Sequence, residues 1–149
     1  MAGHTYSFLN FNCEISGPGG LISIGNGSGT NDEGITFEPV EDISSMEVGP
    51  DGLGQHSLHG NKSGHIVLHL LKTSATNAAL QAMYNFQTNS PANHGQSIVS
   101  GVDSLSGDEV TCQQVAFKRR ITLKQGKNAG YNDWLFDAVQ MDIVLGFNV

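Results

Sequence analysis

"KSGHIVLHLLKTSATNAALQAMYNFQTN" (62–89) carries two periods in one stretch. From Lys62 to Thr73 the residues alternate. Ile66, Leu68 and Leu70 share one side, and His65, Val67, His69 and Leu71 share the other. Successive side chains of an extended chain point to opposite faces, so this is a strand with a core face. After Ser74 the spacing changes. Leu80, Met83, Tyr84 and Gln87 fall three and four apart, as on one stripe of a helix. Ser74 is placed to cap that helix and Pro91 to stop it. The expected helix covers about 75–88, and no other segment shows a helical period.

The remaining segments read as strands and turns. In "YSFLNFNCEI" (6–15), Leu9, Phe11, Cys13 and Ile15 share one face. "GPGG" (17–20) fits a type II turn, with Pro18 presetting φ and Gly19 accepting a positive φ. "LISIG" then returns as a second strand. "NGSGTNDEG" (26–34) is a polar loop whose acids do not alternate as calcium ligands do. "ITFEPV" (35–40), "ISSMEV" (43–48), "SIVSGV" (97–102), "EVTCQQVAF" (109–117) and "RRITLKQ" (119–125) read as further strands, and "GKNAGYND" as a turn. In "WLFDAVQMDIVLGF" (134–147), Leu135, Val139, Met141, Ile143 and Leu145 are expected to face one way. Asp137 interrupts that face, and Trp134, Phe136 and Ala138 lie on the other. The stretch from Met46 to Lys62 is rich in glycine and poor in large apolar residues. It is expected to form an extended hairpin arm that waits for a partner. The sum is a mainly β chain of α+β type: an antiparallel β-sandwich or barrel with one flanking helix, in a single domain over 1–149.

Composition narrows the function. The net charge is −7 and the carboxylates are scattered. Binding nucleic acid by neutralising phosphates is therefore disfavoured. Only Lys118, Arg119 and Arg120 form a basic run. No stretch reaches membrane-spanning length. "MAGHTYSFLNFNC" has no basic region followed by an apolar one, so no signal peptide is expected. Cys13 and Cys112 fit neither a zinc spacing nor a disulfide framework and read as reduced, small apolar side chains.

Four of the six histidines fall between His56 and His69. On a strand, His65 and His69 stand about 13 Å apart, whereas each ligand of a zinc ion lies about 2 Å from it. His56 and His59 fall on opposite faces, and cross-strand pairing could bring one of them beside His65 or His69. No acidic third ligand is near in sequence, so sheet-face or interface histidines are the better reading. No metal and no cofactor is expected. "GNGSG" (25–29) lacks the strand–turn–helix setting of a nucleophile elbow and the parallel βαβ unit of a dinucleotide site. Asp137 could be buried and paired with Lys118, Arg119 or Arg120, a structural rather than a catalytic arrangement. No catalytic residue is assigned, and an enzyme is not expected.

Exposed strand edges are satisfied by pairing, and identical copies meeting head to tail close into rings or extend into fibres. "TYSFLNFNCEISGPGGLISIG", "EGITFE", "MEVGPDGLGQHSLHGNKSGHIVLHLLKTSATNAALQAMYNFQ", "CQQVAFKR" and "WLFDAVQMDIVLG" together resemble the tail tube proteins of contractile-tailed bacteriophages. The resemblance runs from about Thr5 to Gly146, and its most specific part leads from "HSLHG" through "KSG" into "LLKTS". It implies a tail-tube fold of the kind also found in type VI secretion tubes, and hexameric rings stacked into an inner tube within a contractile sheath. The implied partners are further copies of the chain, the sheath protein, and baseplate and tail terminator proteins. DNA would pass through the lumen without specific binding, with assembly in the host bacterial cytoplasm and residence in the virion tail.

On that resemblance Met46, Val48, Gly49, Asp51, Gly52, Leu53, His56, Leu58, His59 and Lys62 are candidates for the inter-subunit arm. His65, His69, Glu14, Glu38, Glu47 and Asp142 are candidates for a lumen or interface face. Six copies would carry roughly −42 per ring, a wall that repels phosphate. A tube of a type VI-like secretion or contractile injection system is the alternative. A monomeric β-sandwich binding module is a weaker one, because only Trp134 and three tyrosines could build its aromatic patch. A zinc hydrolase would need the histidines to share a metal.

Overall fold

The computed structural model describes residues 11–25, 34–104, 106–123, 125–127 and 130–146. Its strands are β1 (Phe11–Gly17), β2 (Gly20–Gly25), β3 (Ile35–Pro39), β4 (Ser44–Val48), β5 (Gly54–Leu58), β6 (Gly64–Leu71), β7 (Ser97–Asp103), β8 (Glu109–Phe117) and β9 (Tyr131–Val144), with one helix, α1 (Thr76–Thr88). Seven strands join in the order β2-β1-β7-β8-β9-β6-β3, and β4 and β5 form a separate pair. Every pairing is antiparallel. The sheet curls into a half-barrel around one apolar core, the mainly β, one-helix architecture expected from the two periods. Residues 1–10 and 26–33, which include Leu9 and most of the polar loop, lie outside the described residues.

The core follows the alternation. Cys13 and Ile15, Ile22 and Ile24, and Ile66, Leu68 and Leu70 are all buried. α1 closes the core with Leu80, Met83 and Gln87. Its cap is Ala75, not Ser74, whose hydroxyl accepts only from the Thr76 amide, at 3.3 Å. Asn77 holds the junction. Its Nδ2 donates to the carbonyls of Leu71 (2.9 Å) and Ser74 (3.1 Å), and its Oδ1 accepts from Trp134 Nε1 at 2.9 Å. That side chain satisfies backbone groups at the strand–helix turn and ties them to β9. Phe117 then packs between Tyr84, Trp134 and Phe136, with centroids 5.4, 6.1 and 4.7 Å away. At the β1–β2 turn Gly19 has φ 103°, and a Cβ there would lie 3.4 Å from Phe86.

β9 departs from expectation. Its buried side is Asn132, Trp134, Phe136 and Ala138, then Met141, while Leu135 is half-buried and Val139 is exposed. β8 shows the same break, with Val110 and Cys112 buried, then Val115 and Phe117. The cause is a bulge. The β7–β8 register shifts between Ser97 and Val99, and Gln114 takes φ 53°. β8 and β9 gain their extra residue at the same level, so Cys112 still faces Met141 and Val115 faces Ala138. An inserted residue reverses which side chains point inward, and simple alternation does not survive it.

"RRITLKQ" also differs. The Lys118 amide still donates to Leu135, at 2.9 Å, but the described residues beyond it form no strand, and Ile121 packs against the core from a loop. β9 starts at Tyr131, so the end of the expected "GKNAGYND" turn is already strand.

Candidate functional site

Two surfaces carry the candidate residues. The first is the arm. Ser44 pairs with Leu58, Met46 with His56 and Val48 with Gly54. At the tip the Gly49 amide donates to Leu53 (2.8 Å), Gly52 donates back to Gly49 (3.0 Å) with φ 85°, and Asp51 Oδ1 accepts from the Leu53 amide at 3.2 Å. At the root, Val40 N donates to Ser63 O (3.1 Å) and His59 N to Ile43 O (2.6 Å). The hairpin begins at Ser44, two residues before the expected Met46, and closes at Leu58. His59 follows the strand, with Nε2 3.4 Å from Ser45 Oγ. Lys62 stands at the root, 3.7 Å from Asp142.

Alternation and register put Met46, Val48, His56 and Leu58 on one face of the arm, and Glu47 and Gln55 on the other. Met46 is 63%, Leu53 73% and Leu58 82% exposed. A lone two-stranded hairpin is marginal in water, and clustered exposed apolar side chains mark a surface that another molecule covers.

The second surface is the sheet face away from α1. One cross-strand row runs Ser23, Glu14, Ser100, Thr111, Asp142. Another runs Glu38, His65, Asp137, Ala116. The structure thus brings Glu14, Glu38, Asp142, His65 and His69 onto one face and leaves Glu47 on the arm. His65 Nδ1 lies 2.6 Å from Asp137 Oδ1, and His69 Nδ1 lies 2.5 Å from Asp133 Oδ1.

Asp137 is half-exposed and bound to His65 across β6; among the described residues it is neither buried nor paired with Lys118, Arg119 or Arg120. Sequence reading missed Asp133, Asp137 and Glu109 as members of this face. The available signal was spacing: 133 and 137 stand four apart, as 65 and 69 do. His56 does not approach His65 through a strand pairing, since among the described residues β5 pairs only with β4.

The chemistry of these groups is that of a polar wall. Among the described residues no three His, Cys, Asp or Glu side chains could hold a metal ion. Burial pushes the Cys13 thiol up to about 12, with Cys112 and Glu14 adding to it. Burial likewise pushes Cys112 up to about 11, with Asp142 adding. Both stay protonated at neutral pH and are poor nucleophiles. Among the described residues no helix is long and apolar enough to cross a membrane.

A family model, that of the bacteriophage PhiTE tail tube protein, matches residues 2–146. The chain belongs to this tail tube family. Membership makes it a structural component of a phage tail and implies self-assembly into a tube and contact with other tail components. It also implies a place in the virion tail and a role other than catalysis. A cryo-EM structure of the anti-feeding prophage cap, the tube-terminating cap of that assembly, shares the fold: TM-score 0.55 and 11% identity, over 98% of this chain and 95% of the other. No curated protein matches.

Proposed function

We propose that the chain, one tube domain over 1–149, polymerises as stacked hexameric rings into the inner tail tube. DNA leaves through that tube inside a contractile sheath. The observation that carries this reading is the arm: an ordered hairpin whose strands, among the described residues, pair with no other strand and whose apolar face is exposed. In the tube it lies on an adjacent subunit or ring. The edge strands of the sheet among the described residues, β2 and β3, join those of neighbouring copies, so that the backbone groups of both edges find partners. The face away from α1 lines the lumen. Glu14, Glu38, Glu109 and Asp142 there keep phosphates from sticking, while the His–Asp couples stiffen the wall between β6 and β9. The sheath, baseplate and terminator proteins are its partners along the tail.

A second reading is a tube of a contractile injection system that carries protein cargo. The fold shared with the anti-feeding prophage cap favours it. Nucleic acid recovered from purified particles decides between the two.

Negative-stain microscopy of the purified protein, alone and with an assembly initiator, tests the main reading. Rings and hollow tubes are expected. A lone globule under every condition overturns it. Replacing Glu14 and Glu38 by Lys tests the wall: tubes form, but phage carrying them eject DNA slowly. Normal ejection by that variant removes the electrostatic part of the proposal.

A further inference from the structure

In an antiparallel pair every second residue bonds across to its partner, and the residues between turn their N–H and C=O away. On β3 the His69 amide donates to the Gly34 carbonyl and the Val40 amide to the Ser63 carbonyl, each at 3.1 Å. Thr36 and Glu38 therefore bond to β6, and Ile35, Phe37 and Pro39 turn their backbone groups to the outer edge. On β7 the Asp103 amide donates to the Asp108 carbonyl at 2.8 Å, so Gly101 and Val99 also bond to β8, and Ser100 and Ile98 bond to β1. Carried across β1, the same alternation bonds Ile22 and Ile24 to β1 and turns Leu21 and Ser23 to the outer edge of β2. Among the described residues no strand pairs with either outer edge.

The two edges are out of step. Ile22 and Ile24 fill the core, so the open groups of β2 belong to residues whose side chains lie on the face away from α1. The open groups of β3 belong to Ile35 and Phe37, which pack against the core. In an antiparallel joint, residues bonded to each other share a face. That would set Leu21 and Ser23 beside Ile35 and Phe37 and turn one sheet over. In a parallel joint a residue bonds to the two neighbours of the residue beside it, and the faces stay matched. Strand direction leads independently to the same geometry. The sheet has seven strands and all its pairings are antiparallel, so β2 and β3 run the same way. Rotation about a ring axis preserves direction, so β2 of one copy meets β3 of the next in parallel.

We propose that β2 of one copy and β3 of the next form a parallel pair in which Ser23 stands beside Thr36. The Ser23 amide donates to the Ile35 carbonyl, and the Phe37 amide donates to the Ser23 carbonyl. On the core side Ile22 lies beside Ile35 and Ile24 beside Phe37, so both half-buried side chains of β3 gain an apolar neighbour. On the other face the two hydroxyls meet. A shift of two residues in either direction loses one of the apolar pairs. Pro39 has no N–H to give the edge and falls where this ladder ends. The joint rests on the tube reading and fixes a direction and register that reading leaves open.

Cysteine pairs in the full chain test the joint, because the native Cys13 and Cys112 are buried and protonated. Ser23 and Thr36 are exposed, and neighbouring strands lie about 4.8 Å apart, within reach of a disulfide. Tubes of S23C/T36C, mildly oxidised, are expected to run on a non-reducing gel as a ladder of covalent oligomers. S23C/F37C and each single variant are expected to run as monomers. In native tubes the Ser23 and Phe37 amides are expected to exchange about tenfold or more slowly than in the free subunit, while Thr36, bonded within the subunit, changes less. If S23C/T36C tubes give no ladder, or S23C/F37C gives it instead, the joint is wrong and the tube reading stands. If S23C/T36C fails to assemble, native tubes decide, and unchanged exchange at Ser23 and Phe37 overturns the joint. A native chain that never polymerises overturns the tube reading and this joint with it.

Discussion

At Gly64 a single hydrogen is all the space allows. A Cβ there would meet Met141 Sδ at 2.7 Å and the Glu38 carbonyl at 3.0 Å. Met141 can swing aside, but the β3 backbone cannot. Gly64→Ala is expected to lower stability by about 1–3 kcal/mol, the usual cost of overpacking, read as a drop in melting temperature. Trp134 poses the opposite problem. Trp134→Phe removes the donor to Asn77 Oδ1 and leaves that acceptor unpaired, at a cost of about 1–3 kcal/mol in chemical denaturation.

The thiol of Cys13 has an ordinary value of 9.0 and a folded value of about 12. Its contribution to stability is therefore complete below pH 9 and is lost as pH rises toward 12. The denaturation midpoint is expected to fall across that window, and Cys13→Val to flatten the fall. None of these partnerships is legible in sequence. Gly64 and Met141, or Asn77 and Trp134, are far apart along the chain and meet only because β6 lies beside β9.

Among the elements, the arm is separable. Its root is closed by the Val40–Ser63 hydrogen bond and its strands are exposed. Replacing residues 41–61 with a short Gly-Ser turn is expected to change monomer stability by no more than about 0.5 kcal/mol while abolishing tubes in sedimentation. Loss of the fold would show that the arm supports its own core. The helix is the reverse case. Leu80 is fully buried, and Leu80→Ala is expected to cost about 2–5 kcal/mol.

Both elements were readable beforehand, the helix from its spacing and the arm from glycine and the scarcity of large apolar residues. The phase of β9 was not. Leu135 and Val139 were placed on one face with Met141 because alternation was extended through a level where β8 and β9 each carry an extra residue. Nothing local in "DAVQMD" announces that bulge. The same limit hid the loop at Arg119–Leu123, whose alternating residues pair with no strand among the described residues.

For the molecule as a whole, the arm should behave differently free and assembled. Arm amides are expected to exchange quickly in the subunit and to be protected by about tenfold or more in the tube, since exposed hairpins open locally at little cost. Equal exchange in both states would remove the arm from the assembly contact.

By itself the sequence determined the local periods: one helix, a set of half-buried strands, an acidic surplus and an uncovered hairpin. The helix, the strands and the hairpin each depend on residues within a turn or two of one another, and the surplus is a simple count. Only the tertiary structure decided that β9 runs between β8 and β6, and with it the His65–Asp137 and His69–Asp133 couples and the inward turn of Met141. Strand order and bulge position are set by backbone hydrogen bonds between distant segments, and those bonds are blind to side-chain identity.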